Sequence, residues 1–225
     1  MTSSSRGEAL VSELLANPLK FTEQGNAYQL LQAYFDGYSL ETLSPLLTNQ
    51  NVMVQRAAVW VASELGKQAC SLIHDVIPLI DSHDRNIKYH ALECAIVCAS
   101  GANVKEFVHV VRSLQSEDDV IRRLAMRLMS NADRAQLEGL LSSDAISTLG
   151  SVHARGLLQL SRPVPVEPKD VLQLIESPDP LDRKYGAIAA KRFLKSFPQL
   201  IVAAAASSDL EVQRFAREEL ESRKH

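Results

Sequence analysis

Apolar and polar positions along this chain repeat with a helical period in several consecutive segments. After each polar turn, apolar or small residues recur at the relative offsets 0, +4, +7, +8 and +11. This period of about 3.6 predicts amphipathic α-helices with one buried face. Two-residue alternation, which is typical of half-buried strands, is not found, so the chain is predicted to be all-α. We call the residues at these five offsets the buried stripe. It is complete in three segments: Val54, Ala58, Val61, Ala62 and Leu65; Ile87, Ala91, Cys94, Ala95 and Cys98; and Ile121, Ala125, Leu128, Met129 and Ala132.

The turns before these stripes form an internal repeat. An Asp or Asn stands at each turn, a Ser or Asn lies two positions before it, and the turns follow one another at nearly regular intervals along the chain. A side-chain oxygen at such a position can accept hydrogen bonds from the free N–H groups that open a helix. The pattern therefore predicts six helix pairs, each with a capped second helix. The six turn residues are Asn51, Asp84, Asp118, Asp144, Asp179 and Asp209.

The order of turn Asp, apolar anchor, basic residue and alanine resembles the HEAT-repeat signature. The first and last copies have Gln in place of the basic residue, the copy at Asp144 is degenerate, and the copy at Asp179 lacks the apolar anchor. The resemblance covers residues 39–222. It implies a right-handed α-solenoid of HEAT-like helix pairs, an alpha-alpha superhelix whose second helices line a concave surface. The best matches are Asp118, Ile121, Arg122 and Ala125, followed by Asp84, Ile87, Lys88 and Ala91.

The domain organisation follows from the repeat. Residues 1–36 are predicted to be an N-terminal tail with capping helices, and residues 37–225 to be the repeat array in a single domain. Three prolines in residues 161–169 are incompatible with a continuous helix. This segment is therefore predicted to be an extended connection between the fourth and fifth helix pairs.

Composition narrows the class of protein. The 225 residues are 46% hydrophobic and 23% charged, with a net charge of −3, so the basic excess of a non-specific nucleic-acid binder is missing. No apolar run approaches the ~20 residues that span a bilayer, and the first residues lack the features of a secretory signal. Three cysteines provide no disulfide framework. We therefore expect a cytoplasmic protein that does not contact membranes or nucleic acid, and we expect a monomer.

Candidate chemistry is sparse. His90, Cys94 and Cys98 share one helix face, which could suggest a metal site, but both cysteines occupy positions of the buried stripe. Cysteine there behaves as a small buried hydrophobe. The sequence contains no Gly-rich phosphate loop, nucleophile elbow or zinc-protease motif. We therefore expect no metal, no cofactor and no enzymatic activity.

The side of each second helix opposite the stripe is the candidate binding surface. The offsets +5, +9 and +12 from the turn point away from the apolar anchor. Arg, Trp and Tyr, which are enriched at interface hot spots, occur at several of these offsets. In the second to fifth copies the same offsets predict outward positions for Ile96, Ser130, Leu149, His153, Gly156, Lys184, Ile188 and Lys191. The predicted partner-binding residues are Arg56, Trp60, Tyr89, Glu93, Arg123 and Arg127.

The predicted function is a non-catalytic scaffold that binds another protein on the concave face. Residues 25–47, with Ser63–Gly66, also resemble small bacterial HEAT-like immunity proteins, so the partner could be a toxin. One alternative is a HEAT-like alkylpurine DNA glycosylase, which implies a basic, aromatic cleft with a catalytic acid. Here the charge is −3, one Trp is present, and Glu93 is the only central concave acid. Another alternative is a HEAT-like bilin lyase.

Overall fold

The computed structural model describes residues 3–162 and 167–222, and it divides the chain into two compact units, Met1–Cys98 and Ala99–His225. The described residues form helices and turns without any β-strand, which confirms the all-α class. The predicted boundary after residue 36 lies inside the first unit. The solenoid path and its handedness stay predictions. Within the described part of the chain, no helix combines the length and apolar character needed to cross a membrane.

The first unit begins with three N-terminal helices, which are followed by two turn-capped helices and the short helical segments before them. The helix at Ser3–Ala16 packs on the one at Asn26–Phe35, which packs on Val52–Leu65, and Val52–Leu65 packs on Arg85–Cys98. Short 3₁₀ segments, Leu40–Leu43, Gly66–Leu72 and Ile77–Asp81, make up much of the first helix of each later pair. The α-helices are α1 Ser3–Ala16, α2 Pro18–Glu23, α3 Asn26–Phe35, α4 Ser44–Leu47, α5 Val52–Leu65, α6 Ile73–Val76 and α7 Arg85–Cys98.

The second unit contains four further helix pairs, and in the first of them 3₁₀ segments at Gly101–Glu106 and Ser113–Gln115 flank the first α-helix. Residues 163–166, inside the predicted extended connection, lie outside the described residues; the helix before them ends at Ser161 and the next one begins at Pro168. The α-helices are α8 Phe107–Arg112, α9 Asp119–Asn131, α10 Arg134–Leu141, α11 Ser151–Ser161, α12 Pro168–Ile175, α13 Pro180–Arg192, α14 Pro198–Ala205 and α15 Leu210–Glu221.

Five of the six predicted turn residues cap a helix. Asp118 accepts from Val120 N at 2.9 Å, and Asp209 accepts from Glu211 N at 3.0 Å. The residue two positions earlier completes the turn: Ser116 Oγ accepts from Asp118 N at 3.3 Å. Side-chain oxygens thereby satisfy N–H groups that no helical carbonyl can reach. The same two-part arrangement occurs at Asn51, Asp84, Asp179 and Asp209.

In three copies, those of Asp118, Asp179 and Asp209, the residue four positions after the turn donates back to a turn carbonyl. Arg183 Nη1 donates to Ser177 O at 2.9 Å, and Gln213 Nε2 donates to Ser207 O at 3.2 Å. An amide N–H can perform this task as well as a guanidinium N–H. This explains why Gln replaces the basic residue in some copies. Arg183 Nε also reaches Asp209 Oδ2 at 3.0 Å, which links one turn to the next.

The predicted register of the fourth copy is wrong. Asp144 begins a 3₁₀ segment, Asp144–Thr148, and the second helix of this pair begins only at Ser151, after the N-cap residue Gly150. Glycine can occupy an N-cap without a side-chain hydrogen bond. With Gly150 as the turn residue, the short interval from Asp118 and the long interval to Asp179 become nearly equal. His153 therefore occupies the position of the buried apolar anchor.

His153 is buried because its polar atoms find partners inside the second unit. Its Nδ1 lies 2.9 Å from the Tyr185 hydroxyl, and its Nε2 lies 3.0 Å from Gln115 Oε1. Gly156, one turn later, lies directly against the Tyr185 ring. Burial, with a smaller contribution from Arg112, lowers the pKa of His153. The prediction that His153 and Gly156 face outward is therefore wrong.

The central helix of the second unit is α13. It packs against α9, α11, α12, α14 and α15, and its residues from 181 to 190 are buried except Arg183. Lys184 Nζ donates to Leu114 O at 2.7 Å and lies 3.4 Å from Glu211 Oε2, and burial lowers the Lys184 pKa. Neighbours on every side leave this helix without an outward face. The outward positions predicted for Lys184 and Ile188 are therefore wrong, as are those of Leu149, Ile96 and Ser130, which are also buried.

The cysteines differ from expectation. Cys70 and Cys98 form a disulfide, with Cα atoms 5.1 Å apart, and Cys94 is a free buried thiol. Burial, with a smaller contribution from Glu93, raises the pKa of Cys94 to about 12. Cys94 therefore fits the predicted core position, whereas Cys98 is buried as half of a cross-link. The prediction that the chain carries no disulfide is wrong for this pair.

Candidate partner-binding groove

A groove of about 290 Å³ opens on the first unit and is lined by residues of α2, α3, α5 and α7. Two of the predicted binding residues, Arg56 and Trp60, line it. The only tryptophan of the chain, Trp60, is half-buried, so its ring forms part of the wall while staying accessible. The remaining lining residues are Thr22, Ala27, Met53, Ala57, Asn86 and His90.

Arg56 is tied to the repeat framework as well as to the groove. Its Nε donates to Asp84 Oδ2 at 2.8 Å, its Nη2 bonds the same oxygen, and its Nη1 lies 3.7 Å from Met53 Sδ. The hydrogen bond from Arg56 lowers the pKa of Asp84, which also caps α7. The Arg56 side chain is 41% exposed. Arg56 thus presents a fixed, partly exposed positive charge at the edge of the groove.

His90 connects the groove to two further predicted residues. Its Nδ1 lies 3.0 Å from Glu93 Oε2 and 3.3 Å from Ser63 Oγ. The Tyr89 ring stands edge-on to the His90 ring, with centroids 5.3 Å apart. Tyr89 and Glu93 are therefore next to the groove through His90, although neither lines it.

The other two predicted residues belong to the second unit. Arg123 is mostly buried, with 16% of its side chain exposed, and lies 3.3 Å from Asp119. Arg127 is exposed and forms no ion pair with the described residues. Four predicted residues, Arg56, Trp60, Tyr89 and Glu93, are therefore brought together in the first unit, and Arg123 and Arg127 are on α9 of the second.

Sequence reasoning missed several lining residues because it selected a neighbouring strip of the helix surface. The groove uses the offsets +2, +6 and +9 from the turn, represented by Met53, Ala57 and Trp60 on α5. The predicted strip used the offsets +5, +9 and +12. His90 lies at offset +6 and Asn86 at offset +2 on α7, so both repeat the α5 pattern one copy later. This repetition is the signal that could have identified them.

The lining does not suggest a metal centre. Among the described residues there is no group of three or more His, Cys, Asp or Glu side chains placed to hold an ion. Cys98, one of the three residues of the candidate metal set, is bonded to Cys70 and is not available as a thiolate. The groove combines an aromatic ring, a thioether, a guanidinium and an imidazole, which are groups suited to contact with another protein.

The fold and the groove together define an all-α protein of turn-capped helix pairs with a small aromatic groove. No protein-family model and no curated protein matches the chain. Among solved structures, the chain is similar to the crystal structure of an engineered protein, a target of the Northeast Structural Genomics Consortium. The two chains share 19% sequence identity over 87% of this chain and 81% of the engineered one, with a TM-score of 0.45.

Proposed function

We propose that this chain is a non-catalytic protein-binding module that holds a partner protein at the groove of the first unit. The observation that carries the proposal is the half-buried Trp60 ring, which lines a cavity of about 290 Å³ beside the fixed Arg56 guanidinium. A tryptophan in such a setting offers a large contact area with little conformational freedom to lose. The volume suits one large side chain of a partner.

The pairing of Arg56 with Asp84 supports this role. Because Asp84 fixes the guanidinium, little side-chain entropy is lost when a partner contacts it. The pair is partly exposed, so an acidic or carbonyl group of the partner can still approach Arg56. Met53 and His90 also line the groove, and the flexible thioether of Met53 can adapt to the shape of a partner.

Membership of the HEAT-like class is part of the same proposal, and it rests on the turn and cap pattern. In its most specific form, the proposal is that this chain is a monomeric bacterial immunity protein that neutralises a toxin.

For the glycosylase alternative, the candidate catalytic acid would be Glu93. Its Oε2 lies 3.0 Å from His90 Nδ1, and this engagement gives the catalytic role no support. The cytoplasmic location also stays a prediction, and the Cys70–Cys98 disulfide favours an oxidising compartment instead.

The test compares two aromatic truncations in the first unit. Trp60→Ala removes the groove wall, and Phe35→Ala removes an aromatic ring that is 47% exposed but does not line the groove. Wild-type and variant chains are immobilised, and bound proteins from the source cells are quantified by mass spectrometry. We expect a partner whose recovery falls about thirtyfold with Trp60→Ala, which corresponds to ~2 kcal/mol, and is kept with Phe35→Ala.

Two outcomes would contradict the proposal. In the first, every protein is recovered in the same amount with Trp60→Ala, with Phe35→Ala and with the wild type. In the second, the recovered partner is lost equally with both variants. Circular dichroism of each variant ensures that a loss of binding is not a loss of the fold.

A further inference from the structure

The second unit contains a larger cavity that the proposed function does not use. It has a volume of about 390 Å³ and lies where α9, α11 and α13 end and α10 begins. Three arginines line it, Arg134, Arg162 and Arg192, together with Leu160, Phe193 and two serines. None of these lining residues is acidic. The cavity wall therefore carries three positive charges and a small apolar floor.

Arg192 is the innermost of the three cations. Its Nη1 donates to the carbonyl oxygens of Met129, Ser130 and Ala132 at 3.3, 3.3 and 2.5 Å, so it closes the C-terminal end of α9. Burial lowers the pKa of Arg192, while the charge of Asp133 acts in the opposite direction. Arginine stays protonated in proteins. Among the described residues, Arg192 has no carboxylate within ion-pair distance, so its charge is only partly compensated.

Arg134 and Arg162 provide charges that can be redirected. Arg134 pairs with Glu138 one turn later at 2.7 Å, and Arg162 pairs with Asp170 at 3.2 Å. Both arginine side chains are more than half exposed, at 58% and 52%. Exposed ion pairs of this kind contribute little to stability. An anion in the cavity can therefore compete for both guanidinium groups.

We propose that this cavity binds a small phosphorylated molecule, with the phosphate held by Arg134, Arg162 and Arg192 and the organic part against Phe193 and Leu160. Guanidinium groups match the geometry of phosphate oxygens, and three of them suit a doubly charged group better than a single carboxylate. A volume of about 390 Å³ lies within the range of small-molecule sites and exceeds the size of inorganic phosphate alone. This proposal is independent of the groove on the first unit.

The probe that tests the site is phenyl phosphate, measured by isothermal titration calorimetry against inorganic phosphate, benzoate and phenol. We expect one binding site whose affinity is highest for phenyl phosphate, lower for inorganic phosphate and lowest for benzoate. We expect no binding of phenol. The affinity should fall as salt is raised, because the interaction is ionic. Failure of phenyl phosphate to bind at millimolar concentration, or benzoate binding as tightly, would overturn the proposal.

Matched variants locate the site. The double variant Arg134→Gln and Arg162→Gln removes the two more exposed cations of the cavity and leaves the half-buried Arg192 in place. Arg214→Gln is the control, because Arg214 forms the same kind of exposed pair, one turn from Glu218 at 3.1 Å, outside the cavity. We expect the affinity for phenyl phosphate to fall at least tenfold in the double variant and to change less than twofold in the control. An equal effect of both would show non-specific ion binding and refute the site.

Discussion

Replacing Gly156 by alanine tests the contact that holds α11 against α13. A Cβ on Gly156 would lie closer than 3.0 Å to Tyr185 Cγ and to both Cδ atoms, whereas carbon atoms in contact are separated by about 3.5–4.0 Å. The ring has little room to retreat, because Tyr185 is fully buried and its hydroxyl is 2.9 Å from His153 Nδ1. Gly156→Ala must therefore displace the ring or separate the helices.

The expected change in the free energy of unfolding can be estimated from three contributions. Overpacking of a well-packed core costs roughly 1–3 kcal/mol. Displacing the Tyr185 hydroxyl leaves buried polar groups of Tyr185 and His153 without partners, which costs about 1–3 kcal/mol more. Alanine in place of glycine within a helix offsets about 1 kcal/mol. We therefore expect Gly156→Ala to destabilise the protein by about 1–5 kcal/mol.

Urea titration followed by far-UV circular dichroism measures this change. A second background gives the control: with Tyr185→Leu the ring is absent, so Gly156→Ala should cost much less than it does in the wild type. The reasoning is refuted if Gly156→Ala alone raises the stability by about 1 kcal/mol, because helix propensity would then be the only effect of the substitution.

Two further predictions concern titration and redox state. In denaturant without reductant, thiol titration should find one free thiol, Cys94; after reduction it should find three, and reduction should cost about 3–4 kcal/mol of stability for a loop of this length. Three free thiols before reduction would disprove the Cys70–Cys98 bond. Because the pKa of His153 is lowered from its ordinary value of 6.5, the unfolded state binds more protons below that pH. The stability of the wild type should therefore fall as the pH drops below 6.5 and should not change through this histidine at higher pH. In urea titrations, any stability advantage of the wild type over His153→Gln should shrink as the pH is lowered below 6.5, and a difference that does not change with pH would contradict the lowered pKa.

The sequence predicts the helix starts well, because each start is determined by local hydrogen bonds. The side chains at the turn and two positions earlier supply the caps, so five of six turn residues are recognisable from residue type and spacing alone. Gly150 is missed because a glycine N-cap has no side-chain signal, and Asp144 stands nearby as a better apparent cap. The irregular spacings on either side of Asp144 and the degenerate signature after it are the signs of the error.

Features that depend on packing between helices are less predictable. The burial of Lys184 and His153 requires partners from distant segments, Leu114 and Gln115, which periodicity within one helix does not reveal. The disulfide is recognisable in principle, because Cys70 and Cys98 lie equally far before and after the turn residue Asp84. Residues equidistant from the turn of an antiparallel helix pair face one another, which is the arrangement that a disulfide needs.

The groove is predicted only in part, for a similar reason. Helical periodicity identifies the solvent side of α5 and so finds Arg56 and Trp60. Outside α5, the wall comes from α7 and from Thr22 of α2 and Ala27 of α3, whose position against α5 is determined by tertiary packing. Periodicity places His90 on the same face of α7 as Cys94 and Cys98, whereas the structure shows it lining the groove with its Nδ1 3.0 Å from Glu93 Oε2.

We propose that a partner protein binds at Trp60, and a fluorine label at this residue tests the proposal most directly. Trp60 is the only tryptophan in the chain, so protein grown with 5-fluorotryptophan should give a single ¹⁹F resonance from the groove. Addition of the partner should shift this resonance and reduce its solvent isotope effect, because the core of an interface excludes water. A resonance that keeps its position and solvent exposure in the saturated complex would contradict the account and place the binding surface elsewhere on the protein.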